Sequence, residues 1–191
     1  MNQKNLLEVD WSKIPPPTDD GAAAHLVGMA IPPVTLRATD DNSVTLSALP
    51  GRTVVFAYPR TGEPGKISLV DDWDMIPGAR GCTPQACAFR DLHAELKAAG
   101  ADHVFGLSTQ DSDYQAEMAS RLHLPFAVLS DEKLALTRAL NLPTMQVAGL
   151  TLIKRLALVV DSGRIRHVFY PVFPPDRNAG DVLEWLRANP A

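Results

Sequence analysis

Two cysteines are all the thiols that this 191-residue chain can draw on, and other common site chemistries are missing around them. The five histidines, His25, His93, His103, His123 and His167, show no ligand spacing. With both cysteines falling in one predicted helix, a closed zinc site is not expected. No G-x-x-x-x-G-K run is present to cradle phosphate, and no serine sits in a G-x-S-x-G elbow. Neither charge sign dominates. Eighteen Lys and Arg against 22 Asp and Glu leave a formal charge of −4, which gives nucleic acid or an anionic membrane no electrostatic foothold. Long apolar runs are also lacking: Leu150–Val160 is interrupted by Lys154 and Arg155 and is too short to span a bilayer. The start, Met1-Asn2-Gln3-Lys4-Asn5, lacks the basic-then-apolar order of a secretory signal, so a cytoplasmic location is expected. In that compartment a lone cysteine pair is more often catalytic or redox-sensing than a permanent staple.

What is present is ordinary for a globular domain, 46% hydrophobic and 21% charged, in a chain long enough to bury about 70% of its unfolded surface. Residues 1–24, with Pro15-Pro16-Pro17 and no sustained period, read as an amino-terminal extension, an arm that is extended or loosely docked. Residues 25–191 read as one domain. Short strands are predicted near Val34–Leu36 and Val44–Leu46, and the apolar run Thr53–Tyr58 suits a strand buried on both faces. Pro59 ends that strand. A glycine- and proline-rich stretch of about 20 residues follows, longer than an ordinary connection. A helix is expected from about Thr83 to Ala99, closed by Gly100. Beyond it the pattern alternates: strand His103–Ser108, helix Ser112–Leu122, strand Phe126–Leu129, helix Lys133–Leu140. Strands Leu156–Val160 and Ile165–Tyr170 then join at Asp161-Ser162-Gly163, and a last helix is capped by Asp176 or Asn178. The alternation implies a layered α/β fold whose closing hairpin makes the sheet mixed.

Both cysteines lie in Gly81-Cys82-Thr83-Pro84-Gln85-Ala86-Cys87. At a helix start, unpaired N–H groups and the helix dipole favour thiolate over thiol. Cys82 occupies that place, whereas Cys87 lies more than a turn inside. An ideal helix sets residues i and i+5 about 8.7 Å apart at Cα, and a disulfide needs less than about 6.8 Å. The two sulfurs can therefore join only if the helix start unwinds. The plain alternative is two small buried hydrophobes.

This cysteine segment resembles the peroxiredoxins, thiol peroxidases on a thioredoxin fold, and within them the bacterioferritin comigratory protein or peroxiredoxin Q branch. The likeness runs from about Leu26 to the C-terminus, through Pro33-Val34-Thr35-Leu36, Tyr58-Pro59, Leu129-Ser130-Asp131-Glu132 and Arg155–Asp161. It implies a thioredoxin-like fold, a central mixed sheet flanked by helices, with the arm and an inserted active-site loop added. It implies that Cys82 is peroxidatic and Cys87 resolving, through an intramolecular disulfide. The expected substrates are hydrogen peroxide or organic hydroperoxides, and the expected reductant a thioredoxin-like or glutaredoxin-like partner. No cofactor is implied, and members occur as monomers or homodimers. Arg155 matches the family's arginine, with Arg80 a local competitor and a surface cation the bland reading.

One departure stands out. The family spacing is P-x-x-x-T-x-x-C, yet Pro59 lies 23 positions before Cys82, and the position three before Cys82 is Ala79, without a hydroxyl. Thr61 takes the threonine role if the insert closes on itself. Within the insert, Asp71, Asp72 and Asp74 read as a solvated acidic loop rather than a cation site, and Trp73 as a loop anchor, a pocket wall or a docking residue. Two rival functions share the same pair: a redox-sensing protein, and a general thiol–disulfide oxidoreductase, which more often carries C-x-x-C. An insert that disables the pocket is the remaining alternative.

Overall fold

The computed structural model describes residues 9–190; the first eight residues of the arm lie outside them. A seven-stranded mixed sheet organises the chain. Its centre is β3 (Arg52–Ala57), whose six residues are all buried. Parallel to it run β4 (His103–Ser108) and then β5 (Val128–Ser130). On the other side β8 (Leu156–Asp161) pairs antiparallel with β3 and with β9 (Arg164–Phe169). The far edge is β1 (Thr35–Ala38) antiparallel to β5, and β2 (Ser43–Thr45) antiparallel to β1. A separate hairpin joins β6 (Thr144–Val147) to β7 (Leu150–Ile153).

Period-two alternation along β3 sorts the core into two layers. Val54, Phe56 and Tyr58 face α1 (Cys82–Asp91), α3 (Ser112–Arg121) and α5 (Asn178–Ala188), while Val55 and Ala57 face α4 (Ala135–Leu140) and the segment around Leu26 and Ile31. Phe89 of α1 stacks on Phe56 at 4.2 Å between ring centroids, and Phe126 meets Phe56 edge-on at 5.6 Å. Fully burying a ring such as Phe89 contributes about 1.5–3 kcal/mol, which ties the cysteine helix to the central strand.

The expected helix over Thr83–Ala99 divides. After α1, Leu92 leaves helical geometry at φ −98°, ψ 10°, and α2 (His93–Ala98) continues. Neither Asp176 nor Asn178 caps the last helix with its side chain. Asp176 accepts from Trp11 instead, and Asn178 accepts from Gln85. Among the described residues, no helix is long and apolar enough to cross a membrane.

Candidate active site

The site is assembled from the end of β3, the start of α1, the residue before β8 and the turn after β4. Leaving β3, Tyr58 donates its N–H to Leu107 at 3.1 Å. Its phenol is fully buried, which pushes its pKa well above the ordinary value, and the nearby Cys82 sulfur adds to that push. Tyr58 therefore remains a neutral donor, to Gln115 Oε1 at 2.7 Å. The Pro59 carbonyl accepts from Ser108 Oγ at 3.3 Å. Thr61, 2% exposed, is pinned by Gln110: its N–H and hydroxyl donate to Gln110 Oε1 at 2.8 and 3.2 Å, and Gln110 Nε2 donates back to its carbonyl at 3.2 Å. The insert then swings outward, makes a 3-10 turn at Trp73–Met75, and returns at Gly81.

Gly81 is the N-cap of α1 in the left-handed region, φ 108°. A Cβ there would sit 2.5 Å from Pro175 Cγ and 2.8 Å from the Trp11 ring, so backbone conformation and space both demand glycine. Cys82 is the first helical residue and is 4% exposed. Helix geometry leaves the N–H groups of Cys82 and Thr83 without intrahelical acceptors, and Pro84 brings no N–H; the first backbone bond runs from Gln85 to the Gly81 carbonyl at 3.0 Å.

Arg155, which lies just before β8, closes the site. Only 2% exposed, it sends Nη2 toward the carbonyls of Gly78, Ala79 and Arg80 at 3.3, 3.1 and 3.1 Å and toward Cys82 Sγ at 3.3 Å. Nη1 donates to Gln85 Oε1, and Gln85 Nε2 donates to Asn178 Oδ1 at 2.9 Å. The returning end of the insert is thus fastened to the same guanidinium that touches the sulfur. No carboxylate pairs with Arg155 among the described residues. The Cys82 sulfur that this guanidinium contacts also lies 3.6 Å from the Ala79 carbonyl, to which its S–H donates. Arg80, the sequence competitor, is committed to Asp74. Among the described residues no acidic or Cys/His group is arranged to hold a metal.

The structure brings Cys82 and Thr61 to one pocket of about 420 Å³, walled by Ile67, Leu69, Trp73 and Tyr114. Arg155 touches the sulfur at 3.3 Å without itself lining that pocket, and Pro59 stays at the strand end. Cys87 is buried in the second turn of α1, 7% exposed; burial raises its thiol pKa, and both cysteines are free.

Sequence reasoning missed four participants. Gln85 was findable, since i+3 from Cys82 lies on the same helical face. Gln110 and Asn178 carry no local signal. Nor does Trp11, whose Nε1 donates to Asp176 at 2.9 Å and whose ring meets Phe173 at 6.0 Å. The arm is held again at Asp20, which accepts from Lys154 at 2.6 Å and from the Tyr170 hydroxyl at 2.7 Å.

Comparison with known proteins finds relatives in both sequence and fold. A family model described as Redoxin matches residues 26–183. The chloroplastic peroxiredoxin Q of Oryza sativa subsp. japonica is 34% identical over 163 residues, 84% of this chain and 66% of the rice protein. The chain thus spans just under two thirds of that relative's length. The chloroplastic peroxiredoxin Q of Gentiana triflora is 30% identical over 184 residues, covering 93% of this chain and 76% of that protein. Among solved structures, peroxidoxin BcpB from Mycobacterium tuberculosis superposes with a TM-score of 0.69 at 25% identity, over 86% of this chain and 98% of that one. The shared architecture is the thioredoxin fold of peroxiredoxins.

Proposed function

The chain belongs to the redoxin family, in its peroxiredoxin Q branch, and from that premise we propose that it is a thiol-dependent peroxidase with Cys82 as its nucleophile. The observation that carries this reading is the Arg155 guanidinium, 2% exposed, without a carboxylate partner among the described residues, and 3.3 Å from Cys82 Sγ.

The reaction follows from that arrangement. The Cys82 thiolate attacks one oxygen of R–O–O–H; an S–O bond forms as the O–O bond breaks. The other oxygen leaves with the electron pair and takes up a proton as water or alcohol. Sulfur is oxidised by two electrons to the sulfenic acid. Charge growing on the departing oxygen meets the Arg155 cation and the N–H groups at the start of α1, donors already in place before the reaction. Thr61, locked by Gln110, lines the same pocket and offers its hydroxyl oxygen to the peroxide proton.

Resolution needs Cys87. Both cysteines belong to one continuous helix, whose ideal geometry holds their Cα atoms about 8.7 Å apart. The first turn must open, releasing the Gln85–Gly81 backbone bond and the Gln85 contacts to Arg155 and Asn178. The Cys87 thiolate then attacks the Cys82 sulfur, the hydroxyl leaves as water, and a disulfide forms. A thioredoxin-like or glutaredoxin-like dithiol returns both sulfurs to thiols by exchange.

Mass spectrometry of the reduced protein after one equivalent of hydrogen peroxide tests the scheme. The wild type should lose two hydrogens as a Cys82–Cys87 disulfide. Cys87→Ser should stop at a sulfenic acid on Cys82, trapped by a dione reagent. An unmodified Cys82 under these conditions would sink it.

A further inference from the structure

We propose that residues 60–80 are the selectivity element of this enzyme, and that they favour bulky organic hydroperoxides bearing an acidic group, with the hydrocarbon against Ile67, Leu69 and Trp73 and the acid on Arg60. This rests on the peroxidase reading and adds to it the substrate class and the residues that choose it.

Size comes first. Water occupies about 30 Å³, so hydrogen peroxide fills on the order of 60 Å³. The pocket over Cys82 measures about 420 Å³, within the range that takes drug-sized organic molecules. Hydrogen peroxide alone leaves most of it to water.

The wall material points the same way. Ile67, Leu69 and Trp73 all come from the insert, the segment that departs from the family spacing. Ile67 is 92% exposed and Met75, in the same segment, 58%. Leu69 and Trp73 are half-buried beside Ile67. Apolar side chains grouped at the mouth of a pocket whose floor is a nucleophile are placed to cover a hydrocarbon. Their position relative to Cys82 is fixed from both ends: Gln110 pins Thr61 at the exit from β3, and Arg155 holds the carbonyls of residues 78–80 at the return.

Charge supplies the second half of the specificity. Of the cations in this region, Arg80 is neutralised by Asp74 and Lys66 pairs with Glu63. Arg60 lines the pocket with its guanidinium 5.0 Å from the Tyr114 ring centroid and forms no ion pair among the described residues. A planar, permanently charged fork stacked on an aromatic ring is suited to a carboxylate.

The test measures second-order rate constants of the full reduced chain with four peroxides: hydrogen peroxide, cumene hydroperoxide, para-carboxylated cumene hydroperoxide and its methyl ester. The wild type should prefer the acid over the ester by about tenfold at low salt, with the preference shrinking as ionic strength rises. Arg60→Gln should bring acid and ester level. Ile67→Ser, at a site too exposed to threaten folding, and Trp73→Ala should each lower the ratio of cumene hydroperoxide to hydrogen peroxide rates at least about fivefold. Equal rates for acid and ester in the wild type, or ratios unmoved by all three substitutions, overturn the proposal while leaving the peroxidase standing. Consumption of none of the four removes both readings together.

Discussion

Replacing Arg155 with methionine isolates the contribution of its charge, because methionine keeps much of the length and apolar stem. The guanidinium makes one contact to Cys82 Sγ, at 3.3 Å, one to Gln85 Oε1 and three to the carbonyls of residues 78–80. A hydrogen bond from a charged donor contributes about 1.5–3 kcal/mol. If the sulfur contact acts on the attacking thiolate and the departing oxygen, its loss slows attack by about tenfold to about 150-fold. The orphaned carbonyls act on stability instead, at a cost of about 3 kcal/mol or more, which for a domain of this size lowers Tm by about 10 °C. The two effects are separable. Stopped-flow mixing of reduced protein with hydrogen peroxide, followed by tryptophan fluorescence well below Tm, reads the first, and thermal unfolding reads the second. Arg155→Lys keeps the charge without the fork and should fall between wild type and Arg155→Met. A folded Arg155→Met that reacts within twofold of the wild type would refute the reasoning.

Further predictions concern the helix that must open. Burial raises the Cys87 thiol pKa, so the intact helix holds that proton more tightly than the unwound one does. The stabilisation is complete below the ordinary thiol value of about 8.5 and is lost as pH rises toward the raised value in the folded helix. The rate of disulfide formation, measured after the sulfenic acid has formed, should therefore climb through about pH 8.5, while a flat profile from pH 7 to 10 would contradict it. Gly81→Ala places a Cβ against Pro175 and Trp11 at φ 108°; backbone strain of about 1–2 kcal/mol plus overpacking of about 1–3 kcal/mol should lower Tm by about 10 °C. Adding Trp11→Ala should recover part of that loss, and strict additivity of the two changes would show that the ring does not crowd the cap.

Much of this architecture was legible because local signals and tertiary packing agree. The β-rich run after Arg52 became the buried central strand, and the alternation after Gly100 gave β4, α3 and β5 in order. The β6–β7 hairpin escaped because its turn is Ala148-Gly149, both at positive φ; alanine hides a conformation that asparagine or glycine would have announced. The division of the cysteine helix at Leu92 left no proline or glycine to read. In the site, cysteine placement followed from helix-start physics, but the meeting of Arg155 with Cys82 across 73 residues was visible only through the family resemblance. Trp11 and Asp176 meet across 165 residues, a contact that no local pattern encodes.

The central claim is that a buried guanidinium without a carboxylate partner among the described residues, together with an open helix end, makes the Cys82 sulfur a fast nucleophile toward peroxide. Its most direct measurement is the second-order rate constant of the reduced full chain with hydrogen peroxide at neutral pH, compared with free cysteine under the same conditions. Preorganised donors of this kind predict an advantage of at least about a hundredfold. A rate indistinguishable from that of free cysteine would contradict the account.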